Sequence, residues 1–466
     1  MPNLLVGWSA GRNNSNNNNS NNNNIINNNN IIIIINNNII NNINNNIQTM
    51  PPLITNIYTA DPSAHVFNGK LYIYPSHDRE TDIAFNDNGD QYDMIDYHVF
   101  SLDCLPQQPP SLDNDDDATA SRDGSLVAPV TDHGPALTLS AVPWASKQLW
   151  APDAAYCAAT GDYLLYFPAR DHDGVFRIGV AVSSSGRPEG PFVAQETWLA
   201  GTYSIDPAVL VDDLDEDGQE LAQGSGKGAA AYIYFGGLWG GQLQCYGHVP
   251  LSNDNDNDDG SNDDDNNNNN NNKPSSSPHT PPFNPALLGP HEPTGSGGGV
   301  FTRALGPRVA RLSSTDYRSL ATSAREITIL DPSSNTPIAA DDHDRRFFEA
   351  AWCHKRQGRY YLSWSTGDTH LLVYATAHSP WGPFVFAGQV LGPVLGWTTH
   401  HSIVRWDGPA GAGAGGAEDE AKEERWWLFY HDCELSGGVD HLRSVKVREI
   451  WYDEDGRIVG EKPERK

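Results

Sequence analysis

Ionisable side chains recur beside short apolar strands in this chain: Asp61 in TADPSAHVF, Asp153 in WAPDAAYC, Asp206 in SIDPAVLV, Glu349 in FFEAAWCH, and His401 in THHSIVRW. Carboxyl groups that meet across a pocket can share a proton-transfer reaction, one as general acid and another as base. Glu349 is the sharpest candidate. It lies between Phe347-Phe348 and Ala350-Ala351-Trp352, where an unpaired carboxylate would be costly. A carboxyl held there should have a raised pKa, as a general acid requires. Asp61 and Asp206 each precede a proline, which taken alone is a common turn or capping choice. Their recurrence in register is what points to chemistry.

The elements that must position these groups repeat with them. An aromatic strand appears as GKLYIYPSHD from Gly69, GDYLLYFPARD from Gly161, AYIYFGG from Ala231, GRYYLSWSTGD from Gly358 and WWLFYHD from Trp426. Such runs, bounded by Gly or polar turns, read as strands. Asp61 precedes Gly69 by eight residues, Asp153 precedes Gly161 by eight, and Glu349 precedes Gly358 by nine. Asn68-Gly69 is a favoured hairpin turn. VAVSSSGRPEGPF and VYATAHSPWGPF form a further shared element. Five units of short strands without a sustained helical pattern predict an all-β fold, a five-bladed β-propeller. The first strand of each blade lines the axis, so Asp61, Asp153, Asp206, Glu349 and His401 are expected in one pocket. Trp150, Trp239 and Phe85 are candidates to stack on a ligand ring, with core packing as the alternative. Arg443, in DHLRSVKV, could reach the pocket from the last blade or make a blade-edge salt bridge.

Composition narrows the classes of partner. The 466 residues carry 59 acidic and 30 basic side chains, a formal charge of −29, which disfavours nucleic acid and anionic membrane surfaces. A neutral sugar meets no such barrier. The tract 1–49 is dominated by Asn and Ile and is expected to be disordered; residues 50–466 form the catalytic domain, with a disordered insertion at about 252–299. The Asn-broken tract cannot span a bilayer. Five scattered cysteines without a CxxC pair, and an N-terminus without a signal-peptide pattern, point to a cytoplasmic protein.

Two carboxyls on opposite sides of a pocket are the minimum equipment for glycoside hydrolysis, and a third can keep the acid protonated by like-charge repulsion. The TADPSAHVF, WAPD, SIDPAVL, FFEAAW and HHSIV segments together resemble glycoside hydrolase family 43, five-bladed propellers that include β-xylosidases, α-L-arabinofuranosidases and arabinanases. NIYTADPSAHVFNGKLYIYPSHD and NDNGDQYDMIDYHVFSLD are most similar to its single-domain β-xylosidase branch. The resemblance runs from about Pro51 to Ile458. It implies Asp61 as general base, Asp206 as the residue that tunes and orients the acid, and Glu349 as general acid. It also implies single-step inversion, with Asp61 and Glu349 separated by roughly 6.5–9.5 Å. Asp153 is expected to bind substrate or support a group that does. His401 matches a family histidine beneath the sugar, beside calcium or another divalent cation, with a hydrogen-bonded core histidine as the alternative. The expected function is exo-acting release of xylose from oligosaccharides, with α-L-arabinofuranosidase activity alongside. The alternatives are an endo-arabinanase of the same fold and a non-catalytic sugar-binding propeller. An invertase-type retaining enzyme would need a WMNDPNG-like segment, which is absent.

Overall fold

The computed structural model describes residues 50–104, 130–215, 219, 228–249, 278–289, 302–397, 399–408 and 424–463. The tract 1–49 and the short acidic run 113–117 lie outside them. Most of the expected insertion at 252–299 does too, but 278–289 is described and is structured. Pro285–Leu287 makes a 3-10 turn, Asn284 caps it, and Phe283 meets Tyr246 edge to face at 5.4 Å. The polar composition hid these two anchors, Phe283 and Leu287, which pack against the main apolar cluster.

Five sheets, antiparallel except for one edge pairing, follow one another along the chain. The first blade holds Tyr58–Phe67, Lys70–Asp78, Asp96–Leu102 and Val130–Thr138. The second holds Ala145–Lys147, Asp153–Cys157, Asp162–Asp171, Phe176–Ser183 and Phe192–Ala194. Ala208–Asp215, Ala229–Phe235, Arg308–Arg311 and Arg325–Glu326 form the third. The fourth comprises Glu349–Arg356, Arg359–Ser365, Leu372–Ala377 and Phe384–Leu391, edged by Ile329–Leu330 in parallel. His401–Arg405, Trp426–Asp432, Ser444–Tyr452 and Ile458–Val459 complete the fifth. This is the five-bladed propeller that the repeats predict.

The blades are held by the apolar faces between them. Tyr74, Tyr97 and Val99 of the first blade pack on Leu165, Phe167 and Ala181 of the second. At the seam that closes the ring, Ile73, Phe100 and Leu102 pack on Trp427, Phe429 and Val447. Among the described residues no strand is exchanged there. Instead the segment leading into the first blade runs along the fifth, with Leu53 N–H donating to Val445 O at 2.7 Å and Thr59 N–H to Arg443 O at 2.9 Å.

Strand pairing revises the repeat register. Counted from their partners, Ser63 (opposite Tyr74), Asp153 (opposite Tyr166), Ala208 (opposite Tyr234), Trp352 (opposite Ser363) and His401 (opposite Tyr430) occupy one level of the five inner strands. Asp61 and Asp206 stand two residues earlier. The hairpin Phe67–Lys70 turns in two residues, whereas Cys157–Asp162 needs four, so equal spacing to a glycine did not mean equal height on the axis. In the fourth blade the position matching Asp61 is Ala350, and Glu349 lies one earlier, which accounts for its spacing of nine.

Candidate active site

Asp61, Asp206 and Ala350 share a backbone peculiarity that follows from this register. All have positive φ, at 49°, 56° and 62°. The pairing shifts between Ala60 and Ser63 and again between Glu349 and Trp352. Positive φ at residues with a Cβ is strained, and bulges re-aim side chains beside functional sites. Here the distortions bring Asp61, Asp206 and Glu349 to the wall of a single cavity of about 310 Å³, at the small end of the ~300–1,000 Å³ typical of ligand pockets.

Asp61 is the most heavily engaged of the three. Arg443 donates to both its oxygens at 3.0 and 3.3 Å, and the Ser76 hydroxyl donates at 2.7 Å. Its own N–H donates to His431 Nδ1 at 3.0 Å. His400 Nδ1 stands 3.6 Å from Asp61 Oδ1 and 4.0 Å from Asp206 Oδ2. Burial by itself would raise the Asp61 carboxyl, but Arg443, His400, His431 and Ser76 outweigh it and hold the pKa at about 2. Arg443 is buried between Asp61 and Asp78, bonding Asp78 through Nε and Nη2 at 2.8 Å each. The blade-edge alternative for Arg443 therefore gives way to a pocket position.

The other two carboxyls are tuned in the opposite direction. Burial pushes Glu349 up to about 8, with the Asp61 charge adding and Arg443 opposing. Asp206 is also driven well up, by burial first and then by Glu349 and Asp61, although the Ala350 N–H donates to its Oδ2 at 2.8 Å. The two titrate as a pair. Among the described residues the Glu349 carboxyl has no hydrogen-bond partner of its own, so it is free to donate into the cavity. An ionised carboxyl facing a coupled pair that holds its protons more tightly than usual is the equipment for transferring a proton to a leaving group while activating water.

Aromatic residues form the rim. Trp150, Trp239, Phe85 and Trp397 all line the cavity. Trp239 and Trp397 stack at 5.8 Å with 21° between their planes, and Phe85 is 64% exposed. The loop carrying Phe85 is tied across the mouth. Lys147 Nζ holds Asp90 at 2.7 Å, and Arg170 Nη2 donates to Asn88 O at 2.9 Å. Gly89 lies so close to the Trp150 ring that a Cβ would come within 2.7 Å of it.

Two expectations are corrected. Asp153 and His401 do not line the cavity; they belong to the level beneath it. Asp153 accepts from Val209 N–H, the Ser63 hydroxyl and His65, the last at 2.6 Å. His401 is fully buried, with its Nε2 bonded to Ser363 Oγ at 2.6 Å. Asp153 ties three inner strands together at the axis, and His401 ties the fifth inner strand to the second strand of the fourth blade. The histidine facing the pocket is its neighbour His400, passed over in the sequence because only strand register distinguishes the two. Asp78, His431 and Trp397 were also missed, since nothing local in the sequence links them to the other blades.

The fold and site define a propeller glycosidase. The chain belongs to glycoside hydrolase family 43, and it hydrolyses glycosidic bonds. No family model matches it. It is 57% identical to a xylosidase/arabinosidase 43A of Humicola insolens over 415 residues, 89% of this chain and all of that one. It is 42% identical to a xylosidase/arabinosidase of Bacteroides ovatus, covering 87% and 96% of the two chains. Among solved structures, a family 43 β-xylosidase/α-arabinofuranosidase from a compost metagenome, in complex with xylotriose, aligns with a TM-score of 0.63 at 43% identity, over 88% and 96% of the chains.

Proposed function

We propose that this enzyme removes xylose from the ends of xylo-oligosaccharides by single-step inversion, with α-L-arabinofuranosidase activity alongside. The observation that carries the proposal is the split in ionisation around one cavity: Asp61 held at about 2 and Glu349 at about 8. Asp61 takes a proton from a water on the face away from the leaving group. Glu349 donates its proton to the glycosidic oxygen as that bond breaks. Asp206, joined to the Ala350 N–H beside Glu349, orients the acid, while burial and the Asp61 charge keep the acid's proton in place. The small cavity and its tied loop favour end-on binding of one sugar unit. Relatives named for xylosidase and arabinosidase activity support this choice of sugars.

At His401 a cation would take most of its shell from water. That ring offers one unengaged nitrogen, Nδ1, with the unpaired Thr399 hydroxyl as the other unpaired polar atom at this turn of the chain. Calcium takes six to eight oxygens, and no carboxylate bonds His401 among the described residues. No step of the mechanism runs through a metal. The test is product analysis by NMR on xylobiose. Inversion yields α-xylose first, whereas initial β-xylose would refute the single-step mechanism. Intact xylobiose with internally cut arabinan would refute the exo-xylosidase reading.

A further inference from the structure

Away from the pocket, the first blade gathers a second set of polar groups that the reaction does not use. His77 lies on the second strand of that blade, and Asp96 and His98 lie on the third. One donor atom from each comes within 4.8 Å of the others, and the two imidazole rings sit 5.0 Å apart, edge to face. All three are half-buried, open to water on one side. None lines the active-site cavity.

We propose that His77, Asp96 and His98 form a binding site for a divalent transition-metal ion of the zinc class, which braces the seam between the first and fifth blades. Two imidazoles, one carboxylate and an open position for water are a recurrent donor set for such ions. The surroundings prepare the ligands. His98 Nδ1 is bonded to Asp132 Oδ1 at 3.0 Å, which leaves Nε2 for the metal. Asp132 is itself fixed by Gly134 N–H at 2.8 Å and by Asn56 Nδ2 at 2.7 Å. Carboxylate–imidazole pairs of this kind orient metal-binding histidines. His77 Nδ1 and Asp96 Oδ1 stand 2.6 Å apart, and metal binding exchanges the proton between them for the ion. Bonds of ~2.0–2.1 Å place tetrahedral ligands roughly 3.4 Å apart, so the wider spacings, within 4.8 Å, close by up to ~1.4 Å while the His77–Asp96 pair at 2.6 Å opens by ~0.8 Å, changes within reach of side-chain rotation. Asn56 links the cluster to ring closure, because it lies between Leu53 and Thr59, whose N–H groups bond the fifth blade.

The test uses the full chain, stripped with a chelator and dialysed against Zn2+. Wild type is expected to hold one more equivalent than His98→Ala and than Asp96→Asn, with circular dichroism showing that both variants are folded. Co2+ should give wild type a visible d–d band that both variants lack, and Zn2+ should raise Tm in wild type alone. Equal stoichiometry in all three proteins overturns the site. Loss in only one variant overturns the three-ligand assignment, and binding without a rise in Tm overturns the bracing role.

Discussion

The protonation of Glu349 gives the strongest handle on the proposed chemistry, through the variant Glu349→Gln. A free glutamic acid near 4.5 is raised here to about 8, chiefly by burial among Ile205, Phe348 and Trp239. At pH 7 that shift changes the protonated fraction from about 0.3% to about 90%, roughly a 300-fold gain in competent acid. The assay is kcat/KM against pH, measured on xylobiose and on an aryl β-xyloside whose phenol leaves readily. Wild type should lose activity as pH rises through about 8. The glutamine variant should fall by ~10²–10⁴-fold on xylobiose, much less on the aryl substrate, and its alkaline limb should vanish. The same shift has a consequence for stability. A raised carboxyl binds its proton more tightly in the folded state, so between pH 4.5 and about 8 stability falls as pH rises. At full ionisation the cost is on the order of 5 kcal/mol, and above pH 8 the glutamine variant should melt higher than wild type. An alkaline limb that survives in the variant, or equal losses on both substrates, would refute Glu349 as the acid.

Three further expectations concern Arg443, Asp153 and Phe85. Arg443→Met leaves Asp61 and Asp78 buried without their cation, a loss of roughly 3–5 kcal/mol in urea unfolding. Asp61 is lowered from 3.8 to about 2, so the stability it contributes is present above 3.8 and disappears as pH falls toward 2. In the arginine variant the acid limb of kcat/KM should therefore move upward; an unmoved limb would contradict the role given to Arg443. Asp153→Asn weakens the axial bonds to Ser63, His65 and Val209 and should lower stability by ~1–3 kcal/mol without changing KM for xylobiose. A several-fold rise in KM there would return Asp153 to the binding site. Phe85→Ala, at an exposed position, should change stability by less than ~0.5 kcal/mol but raise KM by roughly 2–10-fold through lost stacking; an unchanged KM would remove Phe85 from the sugar platform.

Local sequence carried the repeat, the hairpin at Asn68-Gly69 and the acid in an apolar run. From these the five blades, and Asp61, Asp206 and Glu349 at one end of the axis, could be read, because strand alternation and turn chemistry are local properties. Height along the axis was not local. It depended on a four-residue turn after Cys157, which set Asp153 one level deeper than Asp61, and on a bulge that put Glu349 one residue ahead of Ala350. Nor could the sequence pair Arg443 with Asp61 and Asp78, or choose His400 over His401. Those choices arise where the fifth blade closes against the first, bringing side chains more than 360 residues apart into hydrogen-bond contact. Residue types supplied the acids; ring closure decided which of them hold a proton.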